Sequence, residues 1–309
     1  MKFLKRLART AGAIALTLTG SCATPESEAV MAATAAAPAP VPIPTGPALW
    51  RMTDGDTTVY LFGTVHALPE DAEWYAARIQ RAFAASDELV TEIDMGGDPT
   101  EMAGLFAEAA RLSRGRNLRE LMTFENRAQY ENALTALGVP VEALDAVEPW
   151  YAALNVTTLP LIRSGFDPDS GVDQVLTARG AGKRRAALET VAEQVALFDG
   201  LPMDAQLALL DGAVEGVDSV AETLGAMVDS WLAGDADGLA ALMNADMEDP
   251  ALFQRLLYDR NARWVDWIET RMETPGTVFI AVGAGHLAGE GSVQDLLGAR
   301  GREVERVWQ

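Results

Sequence analysis

Apolar and β-branched residues form two short runs near position 50, at residues 49–52 and 57–64. Asp54 and Gly55 lie between the runs, and an Asp-Gly pair in that place is typical of a β-hairpin. Residues 73–86 then show helical spacing of apolar side chains, and residues 88–93 return to a strand pattern. Strand, helix and strand in so short a stretch predict a right-handed crossover in an α/β sheet.

The middle of the chain is predicted to be mostly helical. Apolar residues recur every three or four positions in residues 100–112, 117–122, 124–137 and 141–162. A short helix is expected over residues 171–178 and a short strand over residues 185–188. Helices are then predicted to continue from residue 190 to residue 269, with breaks at Gly200, Pro202 and Gly234.

The last part of the chain returns to strand patterns. Residues 277–282 form a continuous apolar run with β-branched members, as expected of a strand buried on both faces. A helix is predicted over residues 292–299 and a last strand over residues 303–308. The predicted fold class is therefore α/β (or α+β), with a mixed sheet built from N- and C-terminal strands and a large helical insertion between them.

The first residues are predicted to direct export. Four basic residues lie within the first nine positions, and a short uncharged stretch with small residues at its end follows. This layout is typical of a secretory signal, here residues 1–23. The alternative is a lipoprotein signal, which would be cleaved before Cys22 and leave that cysteine lipidated. Either way, the protein is expected to be exported, to the periplasm or to a lipid anchor on the envelope.

An extended linker is predicted after the signal. Residues 24–47 are rich in alanine and proline, and fixed proline dihedrals favour a semi-rigid spacer over a packed element. The globular domain is therefore expected over residues 48–309.

The charge and the cysteine count exclude several classes of function. The chain has 24 Lys and Arg against 45 Asp and Glu, which gives a formal net charge of -21. Such a surface repels phosphate backbones and anionic lipids, so nucleic acid is not expected as a partner and membrane contact is expected only through a lipid on Cys22. Because Cys22 is the one cysteine, an internal disulfide and a cysteine nucleophile in the domain are excluded.

Both histidines of the chain follow a glycine by three positions and come just beyond an apolar strand. Residues 63–66 read Gly-Thr-Val-His and residues 283–286 read Gly-Ala-Gly-His. Because ligands of open α/β sheets bind beyond the carboxyl ends of the strands, His66 and His286 are expected to meet at one edge. Glu92 lies on a hydrophobic strand, where a carboxylate is costly unless it is paired or metal-bound.

Two imidazoles and a carboxylate form a suitable ligand set for a divalent metal that keeps open positions for water or substrate. The alternative is a structural role for each residue, with satisfied hydrogen bonds in the core or a cap on the next helix.

The chain resembles the TraB/GumN family from residue 48 to residue 307. The resemblance rests on short motifs in a fixed order, at residues 48–50, 60–66, Glu92, 171–173, 188–190 with Gln194, Trp231 with 234–235, 260–261 with Trp264, and 282–289. This family includes the Tiki proteins, which resemble membrane-tethered metalloproteases with two Gly-x-x-His motifs and a glutamate. The resemblance also implies a fold like the erythromycin-esterase/ChaN type.

The resemblance implies roles for six residues. His66, His286 and Glu92 are expected to bind manganese, cobalt or zinc, with Glu92 as ligand or general base. Arg260 matches the family's arginine and is expected, with Glu92, to be a catalytic residue, because its guanidinium suits an oxyanion or a peptide carboxylate. Arg260, the neighbouring Asn261 and Glu189 are expected to bind substrate; the alternatives are a structural salt bridge for Arg260 and a helix cap for Glu189.

The sequence thus predicts an exported, metal-dependent hydrolase that acts on a peptide bond. Two alternatives stay open at this point. One is a non-catalytic protein that sequesters a peptide or small molecule, and the other is a protein that handles haem or metal.

Overall fold

A computed structural model describes residues 46–94, 99–245 and 250–308. The expected signal, Cys22 and nearly all of the expected linker lie outside the described residues.

The strands are β1 (Leu49–Thr53), β2 (Thr57–Thr64), β3 (Glu88–Thr91), β4 (Arg184–Ala187), β5 (Gly276–Gly283) and β6 (Val304–Arg306). The helices are α1 (Ala77–Ala85), α2 (Pro99–Ala109), α3 (Leu118–Leu121), α4 (Phe124–Ala136), α5 (Pro149–Arg163), α6 (Val172–Arg179), α7 (Val191–Asp199), α8 (Met203–Glu215), α9 (Val220–Leu232), α10 (Ala236–Ala245), α11 (Pro250–Phe253), α12 (Asp259–Met272) and α13 (Val293–Ala299). Short 3₁₀ turns lie at Pro168–Ser170 and Ala284–Leu287, and a π-helical turn lies at Gln254–Tyr258.

The strands form one mixed sheet in the order β4-β3-β5-β2-β1-β6. β4, β3, β5 and β2 run parallel, whereas β1 is antiparallel to both β2 and β6. The chain ends supply most of the strands, and the helices α2–α6 and α7–α12 separate β3, β4 and β5. The predicted α/β class, the hairpin at residues 49–64 and the helical insertion are confirmed.

The core covers both faces of the sheet because side chains alternate along each strand. On β5, Val278 and Ile280 face a cluster that includes Trp264 and Ile268 of α12. Phe279 of the same strand faces the opposite cluster, built with α1, α6 and α9. All three β5 side chains are buried, so the expectation of a strand covered on both faces is confirmed.

Two predicted helices begin later than the apolar spacing indicated. α1 starts at Ala77 rather than at residue 73, because the backbone of Ala76 is extended, with φ -63° and ψ 158°. Trp74 precedes the helix and is buried against Phe62 with ring centroids 5.9 Å apart. α5 starts at Pro149 rather than at residue 141, since proline favours the first turn of a helix and lacks the N–H that a position further in would need. Within the described ranges, no helix has the length and apolar character needed to cross a membrane.

Candidate active site

The carboxyl ends of three neighbouring parallel strands bring the predicted site residues together. β2, β5 and β3 are adjacent, with Thr64 in register with Gly283 and Thr91 in register with Ala281. His66, His286 and Glu92 follow these strands by two, three and one positions. A β-carbon built on Gly283 would lie 3.0 Å from Glu92 Oε1, 3.7 Å from His286 Cδ2 and 3.9 Å from His66 Nε2. Atoms of the two histidines and the glutamate therefore converge around Gly283, and the region between them is here called the Gly283 opening.

His66 forms the solvent-facing side of the Gly283 opening. Its side chain is 71% exposed, and its Nδ1 lies 2.7 Å from Oδ2 of the buried Asp173. Asp173 belongs to the first turn of α6, which is fixed to the His66 loop by a hydrogen bond from Val172 N–H to the Val65 carbonyl. Gly171 permits this close approach, because a β-carbon there would collide with the carbonyl oxygen of His66.

The Asp173 pairing sets both the orientation and the charge of His66. The hydrogen bond that His66 donates to Asp173, reinforced by the charges of Asp173 and Glu92, raises the pKa of His66 to about 9. In the neutral ring, Nδ1–H donates to Asp173, which leaves the lone pair on Nε2 directed away from Asp173. An imidazole held by a carboxylate, with its second nitrogen free for a reacting proton, is suited to acid–base chemistry.

His286 is buried and both of its ring nitrogens are engaged. Nδ1 lies 2.5 Å from Asn261 Oδ1, and Nε2 lies 3.0 Å from Nη1 of Arg260. A guanidinium can only donate, so Nε2 accepts and Nδ1–H donates to Asn261, whose own amide donates to the Gly291 carbonyl at 2.9 Å. Burial lowers the pKa of His286 to about 3, so the ring is neutral.

Arg260 connects the buried charges behind the opening. Its Nη2 donates to Glu92 Oε2 at 2.5 Å and to Glu189 Oε2 at 2.9 Å, and its Nε donates to Glu189. Its Nη1 donates to the Leu256 carbonyl at 3.1 Å in addition to His286. A guanidinium has five N–H groups, and all five of these are used inside the protein.

Glu92 and Glu189 are both satisfied by this network. Glu92 Oε1 accepts from Gly283 N–H at 2.6 Å, and Oε2 accepts from Gln194 at 2.9 Å as well as from Arg260. Burial alone would raise the pKa of Glu92, but the two imidazoles, the Arg260 charge and the Gly283 bond together lower it to about 2. Glu189 is 3% exposed and also accepts from Trp264 Nε1 at 3.1 Å and from Arg263 at 3.2 Å.

The structure thus divides the six expected residues into two groups. His66 and Glu92 present a nitrogen and an oxygen to the Gly283 opening, whereas His286 presents its Cδ2 edge. Arg260, Asn261 and Glu189 lie behind these residues and bind one another or the backbone, so direct substrate binding by them stays a prediction. Sequence reasoning gave no role to Asp173, because nothing in its helix pattern indicates that α6 begins against the His66 loop.

A divalent metal does not fit the side chains in this arrangement. Arg260 donates to His286 Nε2 and to Glu92 Oε2, so the donor atoms left at the opening are His66 Nε2 and Glu92 Oε1. In the part of the chain that the structure describes, no group of three or more His, Cys, Asp or Glu side chains is arranged to hold a metal ion. The network that fills the centre is built from hydrogen bonds and from the ion pairs of Arg260 with Glu92 and Glu189.

Comparison with known proteins gives three informative relatives. The chain is 28% identical over 260 residues to the uncharacterized protein YbaP of Escherichia coli, covering 82% of this chain and 92% of that protein. It is 22% identical over 269 residues to an uncharacterized protein of Treponema pallidum, covering 81% and 80% of the two chains. It is 25% identical over 303 residues to the metalloprotease TIKI2 of Danio rerio, covering 80% of this chain and 58% of that protein.

No solved structure matches the chain, so the resemblance to the erythromycin-esterase/ChaN fold stays a prediction. The sequence profile of the TraB/PrgY/gumN family matches residues 48–306, which is most of the chain and includes every residue of the candidate site. The chain belongs to the TraB/PrgY/gumN family.

Proposed function

We propose that this protein is a hydrolase that cleaves a peptide bond, with His66 as the group that transfers the proton. The observation that carries the proposal is the 2.7 Å contact between His66 Nδ1 and the buried Asp173, beside an opening that Glu92 Oε1 also faces. The distant similarity to a protein named metalloprotease TIKI2 supports the peptide bond as the class of substrate.

A water molecule at the Gly283 opening could donate to Glu92 Oε1 and to His66 Nε2, because a carboxylate oxygen accepts more than one hydrogen bond. As the water oxygen bonds to the carbonyl carbon of the substrate, His66 Nε2 takes its proton, and Asp173 stabilises the imidazolium. The imidazolium then returns the proton to the leaving nitrogen while the carbon–nitrogen bond breaks. The products are a carboxylic acid and an amine, and His66 is neutral again.

His286 and Glu92, the other two residues at the opening, each keep a single protonation state. His286 is neutral and Glu92 is ionised over the physiological range, since the pKa of His286 is lowered to about 3 and that of Glu92 to about 2. His286 and Glu92 thus keep one protonation state, whereas His66, with a pKa of about 9, is the group of the three that exchanges a proton. Arg260 supports this arrangement by pairing with Glu92 and Glu189.

A role for manganese, cobalt or zinc stays a prediction from the family resemblance and from the name of the TIKI2 relative. The steps above do not use a metal. Metal binding by His66, His286 and Glu92 would require Arg260 to leave His286 Nε2 and Glu92 Oε2.

Export is a second part of the proposal, and it rests on the basic start and short apolar stretch of residues 1–23. Fractionation of cells that express the full chain, followed by mass spectrometry of its N-terminus, tests this part. A new N-terminus after residue 23 indicates ordinary cleavage, whereas a lipidated Cys22 indicates an envelope anchor. An intact Met1 in the cytoplasmic fraction would contradict export.

The hydrolase proposal is tested by incubating the purified protein with a defined mixture of peptides and identifying products by mass spectrometry. We expect new termini with the wild type and none with His66→Gln, a substitution at an exposed side chain that should leave folding intact. Asp169→Asn, on the exposed loop before α6, is the matched control and should cleave like the wild type. Peptides that bind at equilibrium without any product would instead indicate a sequestering protein.

A further inference from the structure

We infer that the guanidinium of Arg260 occupies the place that a divalent ion would need, and that this centre works without such an ion. The part of the inference that concerns ion binding is independent of the substrate. The part that concerns catalysis rests on the proposed hydrolase function.

The inference starts from the donor atoms that Arg260 removes from a metal. His286 Nε2 and Glu92 Oε1 are 3.9 Å apart, so one ion with bond lengths of about 2.1 Å could in principle reach both atoms. However, Arg260 Nη1 lies 3.0 Å from His286 Nε2, and Arg260 Nη2 lies 2.5 Å from the other oxygen of Glu92. The guanidinium thus holds the lone pair of the imidazole and places a permanent positive charge beside any ion at that point.

Arg260 is also held from behind, so it is not a side chain that an ion could easily displace. Glu189 binds its Nε and Nη2, and the Leu256 carbonyl in the π-helical turn binds its Nη1. Withdrawal of Arg260 would leave the buried Glu189 paired with the exposed Arg263, and it would remove the guanidinium that pairs with the buried Glu92. Removing one partner of a buried ion pair is costly, which favours the arrangement without a metal.

The positive charge of Arg260 has two roles in this centre. Arg260 compensates Glu92 and Glu189, which are both buried, and it fixes His286 in the tautomer that donates to Asn261. In a metal centre the ion would supply this charge and orient these ligands. Here Arg260, a residue of α12, supplies both, so we regard it as a positioning residue rather than a catalytic residue.

The inference predicts that removing Arg260 together with its partner charge will create a metal site. In the double variant Arg260→Met/Glu189→Gln, the glutamine oxygen still accepts from Trp264, and no buried charge at position 189 is left unpaired. His286 Nε2 and both oxygens of Glu92 are then free of the guanidinium, with His66 Nε2 close to the same opening. The matched control is Arg271→Met/Glu88→Gln, which removes a mostly buried ion pair of 2.9 Å elsewhere on α12 and β3.

The experiment measures binding of Mn²⁺, Co²⁺ and Zn²⁺ to chelator-treated protein by calorimetry and by elemental analysis after dialysis. We expect the wild type and the control to show the same weak binding, and the Arg260→Met/Glu189→Gln variant to bind one ion per chain about 10- to 100-fold more tightly. His286→Gln added to that variant should abolish the gain. The chelated wild type should also retain its thermal stability and, if it cleaves peptides, its full rate.

Two results would overturn the inference. One is a wild type that binds one ion per chain and loses it on His286→Gln, and the other is a folded double variant that binds no more tightly than the control. If the double variant does not fold, Arg260→Lys gives the second measurement. This variant keeps the positive charge, so it should bind ions as weakly as the wild type, and one tightly held ion per chain in Arg260→Lys would overturn the inference. A wild type without peptidase activity would defeat the proposed function but would leave these binding results interpretable.

Discussion

His66 and Asp173 are 107 positions apart in the chain, yet Nδ1 of the imidazole lies 2.7 Å from Oδ2 of the carboxylate. One residue follows β2 and the other lies in the first turn of α6. The pair is the part of the candidate site that combines an exposed reactive nitrogen with a buried partner. Its properties therefore give the most direct test of the chemistry.

Asp173→Asn is expected to lower the pKa of His66 from about 9 toward the ordinary value of 6.5. The charge that stabilises the imidazolium is removed, while an amide of the same shape remains. NMR titration of the imidazole protons measures this directly, and the chain has only two histidines to assign. Asp169→Asn should leave the titration unchanged.

The same substitution is expected to change the dependence of peptidase activity on pH. In the wild type, kcat/KM should rise with pH, reach half of its maximum near pH 9 and level off above that pH, since His66 must be neutral to accept a proton. In Asp173→Asn the rise should move to lower pH, and the plateau should fall on the order of 100-fold because the required tautomer is no longer enforced. An unchanged profile would remove His66 from the role of proton acceptor.

Gly283→Ala is expected to block the opening without unfolding the protein. The new methyl group would lie 3.0 Å from Glu92 Oε1 and 3.9 Å from His66 Nε2, where the attacking water is proposed to bind. The backbone of Gly283 has φ -48°, which alanine adopts freely, but Glu92 Oε1 must shift by a few tenths of an ångström to make room. We therefore expect a loss on the order of 100-fold or more in kcat/KM and a destabilisation of about 1–3 kcal/mol. Kinetics and chemical denaturation measured together check both parts.

Gly212→Ala on α8 is the matched control for that substitution. A β-carbon at Gly212 meets no atom within 4 Å, and alanine in a helix is about 0.5–1 kcal/mol more stable than glycine. The control should therefore keep full activity and unfold at slightly higher denaturant. An equal loss of activity in the Gly283 and Gly212 variants would contradict the proposal that the attacking water binds at the Gly283 opening.

The convergence of His66 and His286 was predictable because each comes within three positions of the end of an apolar strand. Glu92 was expected inside a strand over residues 88–93, but β3 ends at Thr91, so Glu92 lies one position beyond it. Parallel strands place their carboxyl ends at one edge of a sheet, so the order of motifs along the chain was enough to bring these residues together. The strand pattern of residues 277–282 was equally informative, because a run without polar positions requires cover on both faces.

The network behind the opening was not predictable in the same way. Arg260 and Glu92 are 168 positions apart, and the contact depends on how α12 packs on the sheet. The apolar face of α12 shows that the helix packs, but its periodicity does not indicate which strand end the polar residues will reach. The family resemblance drew attention to Arg260 as a substrate ligand, whereas the structure engages all of its N–H groups internally.

Glu189→Ala is expected to destabilise the protein by about 3 kcal/mol, because it removes one partner of a buried ion pair and leaves Trp264 Nε1 without an acceptor. Urea denaturation measures the change in the free energy of unfolding. Glu303→Ala, at an exposed position before β6, should change that free energy by less than about 0.5 kcal/mol. Similar values for the two variants would show that the Glu189 network contributes little to stability.

The two histidines are expected to affect stability on opposite sides of neutral pH. Burial lowers the pKa of His286 to about 3, below the ordinary 6.5, so its contribution is complete above pH 6.5 and is lost as the pH falls toward 3. Asp173 raises the pKa of His66 to about 9, so its contribution is complete below pH 6.5 and is lost as the pH rises through 9.

Chemical denaturation at pH 5, 7 and 9 separates these contributions when wild type, His286→Gln and His66→Gln are compared. Between pH 7 and pH 5 the wild type should lose about 2 kcal/mol relative to His286→Gln, since a neutral glutamine can still accept from Arg260 and does not titrate. Between pH 7 and pH 9 the wild type should lose stability relative to His66→Gln, because the imidazolium that pairs with Asp173 is deprotonated there. The contact with Arg260 requires a neutral His286 at pH 7, and the contact with Asp173 favours a charged His66. A loss of stability on the same side of neutrality for both histidines would contradict this difference in charge.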